Sequence, residues 1–132
     1  MIDALSSVLC TILERTYPGT IITQNNIPDE TACICVYDTG GYEAIRHHGR
    51  NSCKVLRPTA QIRIRHHDLR TARIISLEIY EALDGIYSQT IDSTHCLSIN
   101  CGTPPVYIGK TQVSTKGTAH EYTLNLYSKI QS

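Results

Sequence analysis

Two segments of the chain alternate strictly between apolar and polar side chains, and this alternation constrains the fold more than any other feature. Residues 58–66 direct two sets of side chains to opposite faces, Ala60, Ile62 and Ile64 against Gln61, Arg63 and Arg65. The segment 120–130 repeats the pattern, with Tyr122, Leu124, Leu126 and Ile130 against Thr123, Asn125, Tyr127 and Lys129. A period of two is typical of strands with one buried face. The sequence therefore predicts a sheet with one apolar face and one polar face.

Two further segments have the period of an α-helix. In residues 1–16 the apolar side chains recur on one face, and Tyr17-Pro18-Gly19 ends the pattern. The second helix is predicted from Asp68, a suitable N-cap, to Asp84, with Gly85 as its stop. Its core-facing side is predicted to carry Leu69, Ala72, Ser76, Ile79 and Leu83.

The remaining strands are predicted at residues 20–23, 31–37, 95–101 and 105–111. The resulting order of helix, strands, helix, strands predicts an α+β fold, with a mostly antiparallel sheet of about four to six strands and two main helices packed on one face. A length of 132 residues, 41% of them apolar, suits one domain over residues 1–132. The polar segment at about 38–57 is predicted to be a projecting loop.

Composition excludes some classes of function. The formal net charge is zero, whereas a dedicated DNA-binding protein is usually basic. The sequence shows no transmembrane run and no signal peptide, so we expect a protein that is made in the cytoplasm and does not enter a membrane. In that reducing compartment the six cysteines are expected to be thiols.

The cysteines and histidines raise two alternatives, a zinc site and an enzyme. The spacings Cys33-x-Cys35 and Cys96-x4-Cys101 fit a tetrahedral zinc site poorly. A catalytic pair of Cys53 with His47 or His48 requires a proximity that the sequence does not show. No phosphate-binding loop is present. We therefore predict no metal, no cofactor and no catalytic residue.

Three segments in order carry a family resemblance. They are Val36-Tyr37-Asp38-Thr39-Gly40-Gly41, Pro58-Thr59-Ala60-Gln61-Ile62-Arg63-Ile64-Arg65 and the helix end Glu78-Ile79-Tyr80-Glu81-Ala82-Leu83-Asp84-Gly85. Together they resemble the minor capsid proteins of long-tailed bacteriophages that are similar to tail terminators. The resemblance implies a non-enzymatic virion subunit of the neck. It implies a homo-oligomeric ring, a hexamer, that caps the tail tube, joins the tail to head-completion proteins and lets genomic DNA pass transiently.

Two groups of residues are predicted to serve this assembly. Large aliphatic side chains among charges on the second helix, together with arginines on the polar sheet face, are typical of a subunit interface; this candidate interface comprises Arg63, Arg65, Ile74, Leu77 and Glu81. The loop is predicted to contact the tail tube or a neck protein, through Asp38, Gly40, Gly41, Arg46, His47, His48 and Arg50. Two alternatives remain open from the residues alone: another head–tail connector or head-completion protein, and a small cytoplasmic metal-binding regulatory module.

Overall fold

A computed structural model describes residues 5–46, 54–91, 94–113 and 116–131, without the side chains of residues 43–46 and 54. This part of the chain forms two helices and seven strands, in the order α1 (Leu5–Thr16), β1 (Ile22–Gln24), β2 (Cys33–Arg46), β3 (Lys54–His66), α2 (Leu69–Leu83), β4 (Ile86–Ile91), β5 (Thr94–Cys101), β6 (Val106–Val113) and β7 (Gly117–Gln131). None of its helices has the length and apolar character needed to cross a membrane.

The seven strands form one sheet around the long strand β7. The strand order is β1-β2-β3-β7-β5-β4, and β6 also pairs with β7. Among the described strands only the β1–β2 pair is parallel. Strands β5 and β6 lie end to end along the same edge of β7, because β5 pairs with its second half and β6 with its first half. The predicted α+β fold with a mostly antiparallel sheet is confirmed, with more strands than expected.

Both helices pack on one face of this sheet. The predicted alternation of residues 58–66 and 120–130 is confirmed on its apolar side, although Thr123 of the polar side is also buried: β3 and β7 are antiparallel neighbours that pair Ile62 with Leu124 and Ala60 with Leu126. These side chains are fully buried in one core that also contains Leu9 of α1. The core is filled by aliphatic side chains, which stabilise the fold by removing apolar area from water.

Helix α2 begins and ends as the sequence predicts, with one error on its buried side. Asp68 caps it by accepting a hydrogen bond from the backbone N–H of Thr71, and Gly85 follows its end with a left-handed φ of 85°. Leu69, however, is 44% exposed and not part of the core. With a rotation of about 100° per residue, Leu69 lies at the edge of the helix side that carries the buried residues, and it belongs to the first turn of the helix.

The prediction of an irregular loop at about 38–57 is wrong for most of its length. Strand β2 continues through residues 38–46, and β3 already begins at residue 54. The pairing is interrupted by register shifts between Asp38 and Gly41 and between Tyr42 and Ile45. Such bulges break the period of two, so the strand has no regular apolar pattern in the sequence. Strand β4 was not predicted because its four middle residues are all exposed, so its side chains do not alternate between buried and exposed positions.

Candidate assembly surfaces

The outer side of α2 carries large aliphatic side chains between charges. Four residues share this side, opposite the buried one, and we call them the α2 stripe: Arg70, Ile74, Leu77 and Glu81. Ile74 is 47% exposed and Leu77 is 41% exposed. The structure therefore brings three predicted interface residues, Ile74, Leu77 and Glu81, onto one side of one helix; their contact with another subunit stays a prediction.

The sheet face opposite the helices is the second surface. Alternate residues of β3 and β7 point away from the core, and the register sets Gln61 beside Asn125 and Thr59 beside Tyr127. Side chains run across this face: Arg63 Nε donates to Gln61 Oε1 at 3.2 Å, and Gln61 Nε2 donates to Asn125 Oδ1 at 3.4 Å. We call this surface the open sheet face, because the helices of the described residues pack on the other side.

One end of the open sheet face holds a buried carboxylate that the sequence analysis did not identify. Glu121 is 5% exposed, and its carboxylate lies 3.8 Å from Arg63 Nη1 and 3.9 Å from Arg65 Nε. Arg65 is therefore directed at Glu121 within the same chain, whereas Arg63 keeps much of its side chain at the surface and packs over the Tyr37 ring at 5.3 Å. Of the two predicted interface arginines, Arg63 has more surface to offer a partner. Glu121 lies two residues before Thr123 and so continues the alternating polar positions of its strand. This spacing is the sequence signal from which it could have been identified.

The other end of the open sheet face carries aromatic and basic side chains. The Tyr42 and Tyr127 rings stack with centroids 6.2 Å apart, and the Arg57 guanidinium lies 5.6 Å from the centroid of Tyr42. Together with the exposed Lys129 they form what we call the tyrosine patch: Tyr42, Arg57, Tyr127 and Lys129. Two open recesses, of about 300 and 210 Å³, flank the tyrosine pair. Tyr42 is 60% exposed and Tyr127 39% exposed, so this surface is available to a partner.

Asp38, predicted to contact a partner, is used within the chain. Its carboxylate accepts hydrogen bonds from the backbone N–H of Ser6 at 3.0 Å, from Ser6 Oγ at 2.6 Å and from Asn25 Nδ2 at 3.0 Å. Partial desolvation raises the pKa of Asp38, but the hydrogen bonds from Ser6 and Asn25 outweigh it and leave the pKa below its ordinary value. Asp38 thus ties β2 to the first turn of α1, where backbone N–H groups have no helical acceptor.

Gly40 and Gly41, also predicted to contact a partner, form the bulge that follows Asp38. Both have positive φ, 93° and 142°. A Cβ atom on Gly41 would lie 2.6 Å from the carbonyl oxygen of Arg57, so the two strands approach closely here. Of the remaining residues predicted for this contact, Arg46 ends β2, but its side chain lies outside the description; His47, His48 and Arg50 lie outside the described residues altogether.

The cysteines that the structure describes are mostly inside the protein. Cys10, Cys33, Cys35 and Cys96 are buried, and Cys101 is partly buried; Cys53 lies outside the described residues. Burial raises the pKa of the Cys10 and Cys33 thiols to about 11 and that of Cys101 to about 12. Within residues 5–46, 54–91, 94–113 and 116–131, no three His, Cys, Asp or Glu side chains are grouped to hold a metal. The described thiols therefore behave as small apolar side chains.

Comparison with solved structures identifies a similar fold. A chain from the virion of a native gene transfer agent (GTA) particle has a similar fold, with a TM-score of 0.50 and 12% sequence identity. The similarity covers 98% of this chain and 96% of that one. At this identity the likeness shows the fold alone, which is a small two-layer α+β fold. No curated protein sequence matches the chain.

The sequence identifies the family. Residues 14–128 match the family model of the bacteriophage tail terminator protein, which covers most of the chain. The chain therefore belongs to the bacteriophage tail terminator family, and the resemblance inferred from its sequence is confirmed. Membership makes it a structural protein of the phage tail and a component of the virion.

Proposed function

We propose that this protein forms a hexameric ring at the neck of a long-tailed phage, where it terminates the tail tube and joins the tail to a head-completion protein. The proposal rests on the family match over residues 14–128 and on the surface that the fold leaves to water. It gives the protein a non-catalytic role within the virion, after assembly in the cytoplasm of the bacterial host.

The observation that carries the proposal is the exposure of large apolar side chains on both faces of the subunit. Ile74 and Leu77 are exposed on the helix face, and Tyr42 and Tyr127 are exposed on the sheet face. Burying one such side chain is worth about 1.5–3 kcal/mol. Since the described part of the chain covers neither group, both are suited to contact other protein subunits. Association is not opposed by net charge, which is zero.

The β2–β3 hairpin is proposed as the arm that contacts the tail tube or the neighbouring neck protein. Its strands stay paired past Gly41 as far as Arg46 and Lys54. Genomic DNA would pass through the ring without stable binding, because the subunit carries no excess of positive charge. Deletion of residues 43–55 is expected to leave ring formation intact and to abolish joining of heads and tails; normal joining would contradict the role of the arm.

The ring is tested by removing the gene from the phage or prophage that encodes it and imaging the particles. We expect separate filled heads and unjoined tails of irregular length, with normal particles restored by a second copy of the gene. Tails of normal length joined to heads would contradict the proposal. Heads that lose their DNA, beside tails of uniform length, would instead indicate a head-completion protein and would also contradict it.

A further inference from the structure

The α2 stripe and the tyrosine patch lie on opposite sides of the subunit. The α2 stripe is on the outside of the helix layer, and the tyrosine patch is on the open sheet face behind it. A contact between such surfaces cannot be made twice between the same two copies, so it is heterologous. Heterologous contacts form closed rings when the rotation between copies closes. This geometry fits the ring of the proposed function, on which the inference rests.

The charges of the two surfaces are complementary at one end. The α2 stripe ends in Glu81, which is exposed, and the tyrosine patch contains Arg57 and Lys129. The other end of the stripe is Arg70, about 16 Å from Glu81 along the helix. If Glu81 lies at Lys129, Arg70 falls near Asn125, about 14 Å from Lys129 along β7. This direction of docking brings opposite charges together at the Glu81 end. At the other end Arg70 lies beside the uncharged Asn125, and the nearest cation is Arg63 on the neighbouring strand, which is turned towards Gln61.

The apolar parts match in spacing and in shape. Leu77 and Glu81 are about 6 Å apart along α2, and Tyr127 and Lys129 are about 7 Å apart along β7. Leu77 can therefore lie against Tyr127 while Glu81 reaches Lys129. The recesses of about 300 and 210 Å³ on either side of the tyrosine pair offer space for the aliphatic side chains of Leu77 and Ile74.

We propose that the occupant of the tyrosine patch is the α2 stripe of a second copy of this chain, with Glu81 of one subunit paired to Lys129 of the next. Each subunit then offers one surface on either side, and repetition of this single contact builds the ring. Tyr127 and Leu77 form its apolar centre, which water is expected to leave on assembly.

Charge exchange in the full-length protein tests this pairing, with assembly measured by native mass spectrometry and sedimentation velocity over a series of concentrations. Glu81→Lys and Lys129→Glu are each expected to weaken association about tenfold, because each replaces an attraction by a repulsion at every contact of the ring. The double variant Glu81→Lys/Lys129→Glu is expected to assemble like the wild type. A mixture of the two single variants is expected to form alternating rings, because the lysine introduced in one variant then meets the glutamate introduced in the other.

Matched controls are Glu14→Lys on α1 and Lys110→Glu on β6, which change exposed charges outside both surfaces; they should assemble like the wild type. Circular dichroism confirms that every variant is folded. If the wild type forms rings and the single variants assemble equally well, or the double variant and the mixture fail to recover, the pairing is wrong while the proposed function stands. If the wild type does not self-associate at any concentration, and rings are missing from the virion, both are wrong.

Discussion

Asp38 provides the sharpest test of how the helix layer is attached to the sheet. Its carboxylate accepts three hydrogen bonds, two from Ser6 and one from Asn25. Ser6 is fully buried, so replacing Asp38 by alanine leaves its backbone N–H and its hydroxyl without this acceptor. A hydrogen bond to a charged group is worth about 1.5–3 kcal/mol. The contributions of the three hydrogen bonds do not add in full, because the carboxylate is exposed and two of the bonds come from the same residue, Ser6. We therefore expect Asp38→Ala to lower the free energy of unfolding by about 2 kcal/mol.

The pH dependence gives Asp38 a second, independent readout. The folded-state pKa of Asp38 lies below its ordinary value. Between the folded and unfolded pKa values the unfolded chain binds more protons, so stability rises with pH in that window. The contribution of Asp38 is therefore fully present above about pH 4 and is lost as the pH falls through the folded pKa. Asp38→Asn should flatten this part of the stability curve.

Urea denaturation followed by circular dichroism and tyrosine fluorescence measures both effects. The thermal midpoint of Asp38→Ala should fall by about 4–8 °C. Asp29→Ala is the matched control, because Asp29 is also an exposed aspartate, and it should change stability by less than about 0.5 kcal/mol. An unchanged denaturation midpoint for Asp38→Ala, or an unchanged acid dependence for Asp38→Asn, would refute the reasoning.

Three further perturbations follow from the described geometry. Gly41→Ala should cost about 1–3 kcal/mol of stability, measured by thermal denaturation, because φ is 142° and the new Cβ would meet a carbonyl oxygen at 2.6 Å; a wild-type melting curve would contradict this. Leu83→Ala should cost about 2–5 kcal/mol in the same assay, because Leu83 is fully buried in the core; a change of only a few tenths would contradict that burial. Cys10 and Cys101 should react slowly with iodoacetamide at mildly basic pH, because their thiol pKa values are raised to about 11 and 12. Peptide mass mapping should show rapid labelling of both only in urea. Labelling of the native protein as fast as labelling in urea would contradict their burial.

The sequence predicts those helices and strands that have one buried face and one solvent-exposed face. The alternation around Ile62 and Leu124 identified two central strands, and the cap and stop at Asp68 and Gly85 identified the bounds of α2. These signals are reliable because burial and capping act on side chains close in sequence. The predicted burial of Leu69 is wrong, because helical period alone does not show how much of a residue at the edge of the buried side stays exposed.

The remaining features depend on pairing that is remote in sequence. The extension of β2 through Gly41 and Tyr42 is held by backbone bonds to β3, and its bulges hide the strand period. The tyrosine patch joins Tyr42 to Tyr127, which are far apart in the chain and meet only through the order of the strands. The stripe on α2, by contrast, lies within one helix, so its exposed members Ile74 and Leu77 could be predicted from helical period alone.

The choice of aromatic residues agrees with a subunit that must be soluble before it is assembled. All eight aromatic residues of the chain are tyrosines, and it contains no Phe or Trp. A tyrosine ring supplies apolar area for a contact, while its hydroxyl keeps a hydrogen-bonding group in water when no partner is present. Tyr42 and Tyr127 show this on the open sheet face, where both are exposed beside basic side chains. The two kinds of apolar residue thus have separate roles. Aliphatic residues between the helices and the sheet stabilise the single subunit, whereas tyrosines on the open sheet face can contact a neighbouring subunit and remain soluble when none is bound.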